Sequence, residues 1–76
     1  MPSLANLKAG QTGIVQGFTQ ESTSAQRLMQ LGIIEGERIE VIRRAPAGDP
    51  IEIRVLGYSL SLRTSEAATI LVDTED

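Results

Sequence analysis

The stretch IEIRVLGYSLSLR, residues 51–63, decides the fold, because apolar and polar residues alternate on both sides of a short break at Leu56 and Gly57. Alternation with a period of two is typical of a half-buried β-strand. With Leu56 and Gly57 at the centre of a two-residue turn, Ile53 faces Leu60, and each apolar residue of the first strand meets an apolar partner. Glycine in the second position supplies a positive φ that leucine would resist. The pattern therefore predicts a tight β-hairpin with a defined register.

An earlier strand, residues 38–44, extends the hairpin to a three-stranded antiparallel meander. Ile39 and Val41 share one face of this strand and Ile42 lies on the other, so either both faces are partly covered or a bulge shifts the alternation. The connection at residues 45–50 holds two prolines and one glycine, which exclude a helix or a central strand. We expect it to be a surface loop.

One α-helix is predicted between Thr23 and Gly32. Thr23 and Gln26 have the spacing of a capping box, and Gly32 can adopt the left-handed conformation that ends a helix. Such a helix has only about two turns and must dock on the sheet to be stable. We expect the next two residues, Ile33 and Ile34, to enter the interior.

The remaining segments complete the order of elements. They are an apolar anchor and turn at residues 4–10, a first strand at 13–18, a helical turn at 64–68 capped by Thr64 or Ser65, and a last strand at 68–72. About five strands, one short helix inserted after the first strand and a helical turn before the last predict a mainly β fold, a small SH3-like barrel whose closure protects its strand edges. We expect one domain over residues 1–76, with a core at about 4–72 and a frayed acidic tail at 73–76.

The composition excludes most kinds of catalytic and metal site. The 76 residues include no cysteine and no histidine, so the common nucleophile, the imidazole base and the usual zinc ligands are absent. We therefore expect neither an enzyme nor a bound cofactor. The net charge of −3 makes nucleic acid an unexpected partner. No apolar run approaches the roughly 20 residues of a membrane span, and no signal peptide is recognisable, so we expect a cytoplasmic protein without membrane insertion.

Several segments together resemble the FeoA family. They are RLMQLGIIEGERIEV at residues 27–41, RRAPAGDPI at 43–51, GYSLSLR at 57–63 and EAATILV at 66–72, with LKAGQTG at 7–13 similar to the family's opening turn. The resemblance implies an SH3-like barrel that acts in bacterial ferrous iron uptake. It also implies a partner, FeoB, a membrane permease with a cytosolic G-protein domain, which the small protein binds and modulates.

Two alternatives accompany this interpretation. A similar domain ends some iron-dependent repressors, so the chain could be an iron-responsive regulatory module, or it could be a self-associating barrel. The absence of a helix-turn-helix segment from the sequence favours the transporter accessory. Family-level descriptions of transition metal binding fit this chain poorly, because only carboxylates such as Glu35, Glu37, Glu40 and Asp49 are available, and these favour hard cations over selective iron binding.

Five residues are candidate contacts for a partner: Arg27, Met29, Arg43, Arg44 and Asp49. An arginine could stabilise charge on a transferred phosphoryl group, although a solvated surface arginine paired with Glu40, Glu52 or Glu66 is the commoner role. Asp49 either contacts a partner from the loop or caps a turn. A methionine at position 29 is more often a core or boundary residue than an exposed contact. We expect Tyr58 at the edge of the core, with its hydroxyl reaching water.

Overall fold

The computed structural model describes residues 1–20 and 22–74, which form a mainly β fold as predicted. Its elements are a 3-10 turn at Leu4–Asn6, β1 at Thr12–Phe18, α1 at Thr23–Gln30, β2 at Arg38–Arg44, β3 at Ile51–Val55, β4 at Tyr58–Leu62, α2 at Thr64–Ala67 and β5 at Ile70–Thr74. The strands make one antiparallel sheet in the order β4-β3-β2-β1-β5. This arrangement places the last strand beside the first.

The register of the β3–β4 hairpin is the predicted one, with Ile53 opposite Leu60 and Val55 opposite Tyr58. Its turn differs in one respect. Both central residues have positive φ, 53° at Leu56 and 83° at Gly57, as in the turns that match the twist of paired strands. Leucine therefore adopts the conformation that we expected it to resist.

A bulge in β2 explains its irregular alternation. The register with β3 shifts between Val41 and Arg43, which leaves Ile42 without a directly opposed residue. Val41 is fully buried while Ile42 is only partly covered. Both expected alternatives are therefore observed, the bulge and the partial cover of the second face at Ile42.

The core consists of aliphatic side chains from all five strands, the N-terminal turn and α1. Ile33 is fully buried, whereas Ile34 is 45% exposed, so the expectation that both enter the interior was wrong for Ile34. Ile34 belongs to the turn after the helix, where its N–H donates to the Gly32 carbonyl at 3.0 Å.

Helix α1 is capped one residue earlier than predicted. The Ser22 hydroxyl accepts a hydrogen bond from the Ala25 N–H at 3.0 Å, and Thr23 is the first helical residue. The end of the helix is as expected. Gly32 has a φ of 103°, and the Ile33 N–H donates to the Leu28 carbonyl at 3.0 Å, which closes a Schellman motif.

The last strand begins and ends two residues later than predicted. Thr69 remains in the turn after α2, because its N–H and its hydroxyl both donate to the Glu66 carbonyl. Asp73 and Thr74, which we assigned to a frayed tail, belong to β5. Residues 75 and 76 lie outside the described residues.

The two edges of the sheet differ. At the β5 edge, the Val72 N–H donates to the Pro2 carbonyl at 3.0 Å and Ser3 forms a bridge with Leu71. Within the described residues, β4 pairs with β3 alone. The expectation that closure protects the edges therefore holds at β5, where the N-terminal residues provide the cover, and was wrong at β4.

Candidate partner-binding surface

Arg44 holds the chain's own N-terminal segment. From the end of β2, its guanidinium donates to the carbonyl of Ala5 and, at 2.7 Å, to that of Leu7. Ala5 directly follows the buried Leu4, and Leu7 is itself buried, so the arginine fixes the apolar anchor against the sheet. A guanidinium with several donors in one plane suits this paired contact better than a lysine would.

Asp49 joins the β2–β3 loop to α2. Its Oδ1 atom accepts hydrogen bonds from the Thr64 N–H at 2.7 Å and from the Thr64 hydroxyl at 3.1 Å. The same hydroxyl donates to the Gly48 carbonyl at 2.8 Å. Capping of this helical turn by Thr64 or Ser65 was therefore the wrong expectation, because an acceptor fifteen residues away in sequence satisfies the first N–H.

Arg43 is the most exposed of the candidate arginines. Its side chain is 75% accessible, and its Nε lies 2.5 Å from Glu52 Oε1 on the neighbouring strand. It borders a shallow groove of about 310 Å³, which we call the loop groove, lined by Arg43, Arg44, Ala45, Pro46, Pro50, Glu52 and Ser61. The exposed ion pair contributes little to stability, so Arg43 is free to exchange Glu52 for an external carboxylate or phosphate.

Arg27 contacts α2 rather than solvent alone. Its guanidinium pairs with Glu66 Oε2, while Glu66 Oε1 accepts a hydrogen bond from the Arg63 N–H at 3.1 Å. The Arg27 side chain remains 52% exposed. Two of the sequence-predicted candidates, Arg27 and Asp49, thus converge on the short helix α2.

A second surface surrounds the end of α1. A Cβ added to Gly32 would lie 2.6 Å from Leu56 Cδ1 and 3.8 Å from the Tyr58 hydroxyl oxygen, so the hairpin tip packs directly on this glycine. The Tyr58 hydroxyl donates to the Leu31 carbonyl. Tyr58 lies further out than expected, because it is 39% exposed and does not belong to the core cluster, and its hydroxyl binds the helix end.

Exposed apolar side chains concentrate at this helix end. Leu56 is 60% exposed, Tyr58 39% and Met29 40%, so Met29 is not the core filler that is more common at such a position. Met29 and Ile34 lie within three residues of Gly32, which limits their Cα atoms to roughly 11 Å from it. We call this set the helix-end surface: Met29, Ile34, Leu56 and Tyr58 around Gly32.

Sequence reasoning identified Met29 but missed Leu56 and Ile34. The available signal for Leu56 was an apolar residue in a turn position, where glycine, asparagine or aspartate is usual. Holding a leucine at positive φ costs conformational energy. Because the Leu56 side chain is 60% exposed, its burial does not offset this cost in full. Such a residue is a better contact candidate than the hydrogen-bonded Arg44.

The described residues contain no group of three or more carboxylate, histidine or cysteine side chains that could hold a metal ion. Among the same residues, no helix is long and apolar enough to cross a bilayer.

Comparison with known proteins identifies relatives. A family model described as "FeoA domain" matches residues 3–74. A curated relative from Porphyromonas gingivalis, an Fe(2+) transport protein A/Fe(2+) transporter FeoB fusion protein, is 30% identical over 70 residues. The match covers 92% of this chain and 8% of the fusion protein, so the chain spans a small part of that relative's length.

Solved structures share the fold. A FeoA-like protein from Clostridium acetobutylicum is 41% identical, with a TM-score of 0.90 over 96% of this chain and 85% of that protein. Stenotrophomonas maltophilia FeoA, solved with zinc and described as an SH3 domain protein, is 27% identical, with a TM-score of 0.85 over 96% of this chain and 91% of that one. A manganese-dependent transcriptional repressor has a TM-score of 0.88 at 20% identity, over 97% of this chain and 41% of the repressor, which is a likeness in fold alone.

Proposed function

Since this chain belongs to the FeoA domain family, we propose that it is a non-enzymatic accessory of ferrous iron uptake that binds and modulates the transporter FeoB. The observation that carries the proposal is the fusion protein, in which a segment similar to 92% of this chain shares one polypeptide with FeoB. Covalent linkage raises the effective concentration of two modules to the millimolar range for a short flexible linker, so fusion favours pairs that function in contact.

The helix-end surface is the contact face that we propose for FeoB. Interfaces are enriched in aromatic residues and methionine at their centre, and this surface presents Met29 and Tyr58 together with the strained Leu56. Arg27 lies one turn before Leu31 on the same helix and can add a polar contact at the margin, because its pairing with Glu66 leaves half of the side chain exposed. Arg44 and Asp49 support the interface only indirectly, through the backbone groups that they hold.

Calorimetric titration of the chain into the cytosolic region of FeoB from the same genome tests the proposal. The titration is made without nucleotide and with a GTP analogue. We expect binding in at least one of these states. Absence of heat in both states, with a folded chain confirmed by its NMR spectrum, would contradict direct binding to the cytosolic region.

Two variants locate the contact. In the first, Met29→Gln and Leu56→Asn are combined, because glutamine keeps the helix propensity and asparagine accepts positive φ. The second is Arg43→Ala, which removes the exposed arginine of the loop groove. We expect the first variant to lose binding by at least about tenfold, since central apolar contacts carry most of the affinity, and the second to retain it. The opposite result would move the contact to the loop groove.

The effect on the transporter is measured as GTP hydrolysis by the FeoB cytosolic region with and without the chain. If Arg27 inserts into the nucleotide site, Arg27→Lys lowers the stimulation of GTP hydrolysis by orders of magnitude. If Arg27 is only a contact at the margin, the variant changes only the concentration of the chain that is needed for stimulation. The likeness to the repressor supplies no comparable argument for the regulatory alternative, because it is a likeness in fold alone.

A further inference from the structure

The edge strand β4 carries backbone groups that point away from the sheet. In a hairpin with a two-residue turn, the pair that flanks the turn is hydrogen-bonded and every second pair after it is hydrogen-bonded too. Val55–Tyr58, Ile53–Leu60 and Ile51–Leu62 are these pairs. The N–H and C=O groups of Ser59 and Ser61 therefore face outward.

These groups are accessible within the part of the chain that the structure describes. Ser59 and Ser61 are both exposed, and no described residue forms a hydrogen bond with either of them. The opposite edge is different, because Pro2 and Ser3 cover β5. One edge is thus covered by the chain itself and the other is available for pairing.

Strand β4 also lacks the devices that usually prevent edge pairing. Natural edge strands carry lysine, proline, an inward charge or a bulge. The sequence Tyr-Ser-Leu-Ser-Leu of β4 has none of these, and its pairing with β3 is regular throughout. Such an edge is a template for an added strand.

We propose that β4 pairs with β4 of a second copy of this chain, antiparallel and about a twofold axis at Leu60. In this register Ser59 lies opposite Ser61 of the second copy, and the two residues exchange their free N–H and C=O groups. The symmetry repeats this pair, so the dimer gains four backbone hydrogen bonds. The proposal concerns self-association and does not depend on the binding of FeoB.

The outer face of the joined sheet is complementary in charge. Ser59 is flanked on β3 by Arg54, and Ser61 is flanked by Glu52. Pairing about Leu60 therefore produces rows that run Arg54, Ser59, then Ser61 and Glu52 of the second copy. Each row carries one positive and one negative residue from the two β3 strands. Like charges directly opposite each other would destabilise the sheet, and this register contains no such pair.

The inner face is complementary in polarity. Leu60 packs only partly on the core in the single chain. In the dimer it lies opposite Leu60 of the second copy, and Tyr58 lies opposite Leu62. Apolar cross-strand pairs of this kind stabilise a sheet. A second copy therefore matches both faces of the edge without any rearrangement of β4.

The dimer is expected to be weak. One pair of five-residue strands covers less than the roughly 800 Å² per partner of a standard stable interface. We therefore expect it to form reversibly between about 20 µM and about 2 mM protein, where such limited interfaces associate.

Amide hydrogen exchange followed by NMR over this concentration range tests the proposal. The Ser59 and Ser61 amides are expected to exchange more slowly as the concentration rises, in step with an increase in sedimentation coefficient, while the Leu60 amide is protected at every concentration. A chain that stays monomeric, or one that associates while these two amides still exchange rapidly, would overturn the proposal. Protection that appears only when FeoB is added would assign the edge to that partner instead.

The variant Ser61→Pro removes one outward N–H and leaves the donors of the β3–β4 ladder intact. By symmetry each dimer loses two hydrogen bonds, so we expect association to weaken about 10- to 30-fold. Ser65→Pro is the matched control, since it lies in the first turn of α2, where proline is tolerated. Equal association of the two variants would contradict the pairing, and if Ser61→Pro fails to fold, the exchange of the wild-type amides still decides.

Discussion

Asp49 connects two parts of the chain that are fifteen residues apart, because its carboxylate accepts both the N–H and the hydroxyl of Thr64. We expect Asp49→Ala to lower the free energy of unfolding by about 1–3 kcal/mol, since it leaves a backbone donor of α2 without its acceptor. Asp49→Asn retains an acceptor oxygen and should cost less than half as much. Urea denaturation measures both variants, and equal stability of Asp49→Ala and the wild type would show that water replaces the carboxylate.

The Tyr58 hydroxyl gives a second prediction for a single residue. Tyr58→Phe removes the donor to the Leu31 carbonyl and keeps the ring, so we expect a loss of about 0.5–1.5 kcal/mol. Ser65→Ala, an exposed polar change away from the hairpin, should stay within about 0.5 kcal/mol of the wild type. If thermal or urea unfolding gives the same stability for Tyr58→Phe and Ser65→Ala, the hydroxyl does not hold the helix end.

Partners of single polar side chains were predicted only in part from the sequence, because Glu52 and Glu66 were expected to pair with arginines and do so. Arg44 and Asp49 were correctly placed beside a surface loop, but their acceptor or donor groups lie in segments that the chain brings together only on folding. Glu66 was an expected partner of an arginine, but the sequence did not specify that the arginine is Arg27, which lies 39 residues away. No local pattern encodes such pairs, so candidate contacts for a partner and internal hydrogen bonds look alike in the sequence.

At the scale of elements, Ser22 and not Thr23 caps α1. We expect Ser22→Ala to destabilise the chain by about 1 kcal/mol, because the Ala25 N–H loses its acceptor. Thr23→Ala serves as the control and should have little effect or stabilise slightly, since alanine has the higher helix propensity. Circular dichroism during urea unfolding measures both, and a larger loss for Thr23→Ala would return the cap to the predicted residue.

The strands were predicted better than their boundaries. A period of two is a local property, so residues 51–55 and 58–62 could be assigned from alternation alone, whereas the bulge breaks the alternation at residues 38–44. The start of β5 could not, because Thr69 stays in the preceding turn through its two hydrogen bonds to the Glu66 carbonyl. Adjacent serine and threonine residues are both good caps, which explains the shift of one residue at α1.

At the scale of the whole molecule, the N-terminal residues complete the sheet at β5. Removal of residues 1–3 should speed exchange of the Val72 amide at least about tenfold, because Pro2 supplies its acceptor and a free edge amide is open to solvent. The Val15 amide, which donates to the Glu37 carbonyl at 2.9 Å, is the internal control. Unchanged exchange at Val72 would show that the segment covers the edge without protecting it.

The mainly β architecture and its SH3-like character followed from the order of elements, whereas the state of each edge did not. The two edge strands, β4 and β5, look equally exposed until the path of residues 1–3 is known. The helix-end surface could not be predicted from the sequence either, because Leu56 and Gly32 meet only when the hairpin folds over α1.

The contact between Asp49 and Thr64 also bears on the order of events during folding. It closes a segment that contains the whole β3–β4 hairpin, and closing a short segment costs less entropy than joining β1 to β5 from opposite ends of the chain. We therefore expect this hairpin to form before the sheet is complete. In stopped-flow experiments Ile53→Val should mainly slow folding and Val72→Ala mainly accelerate unfolding. The reverse assignment would place the nucleus at the β1–β5 pair.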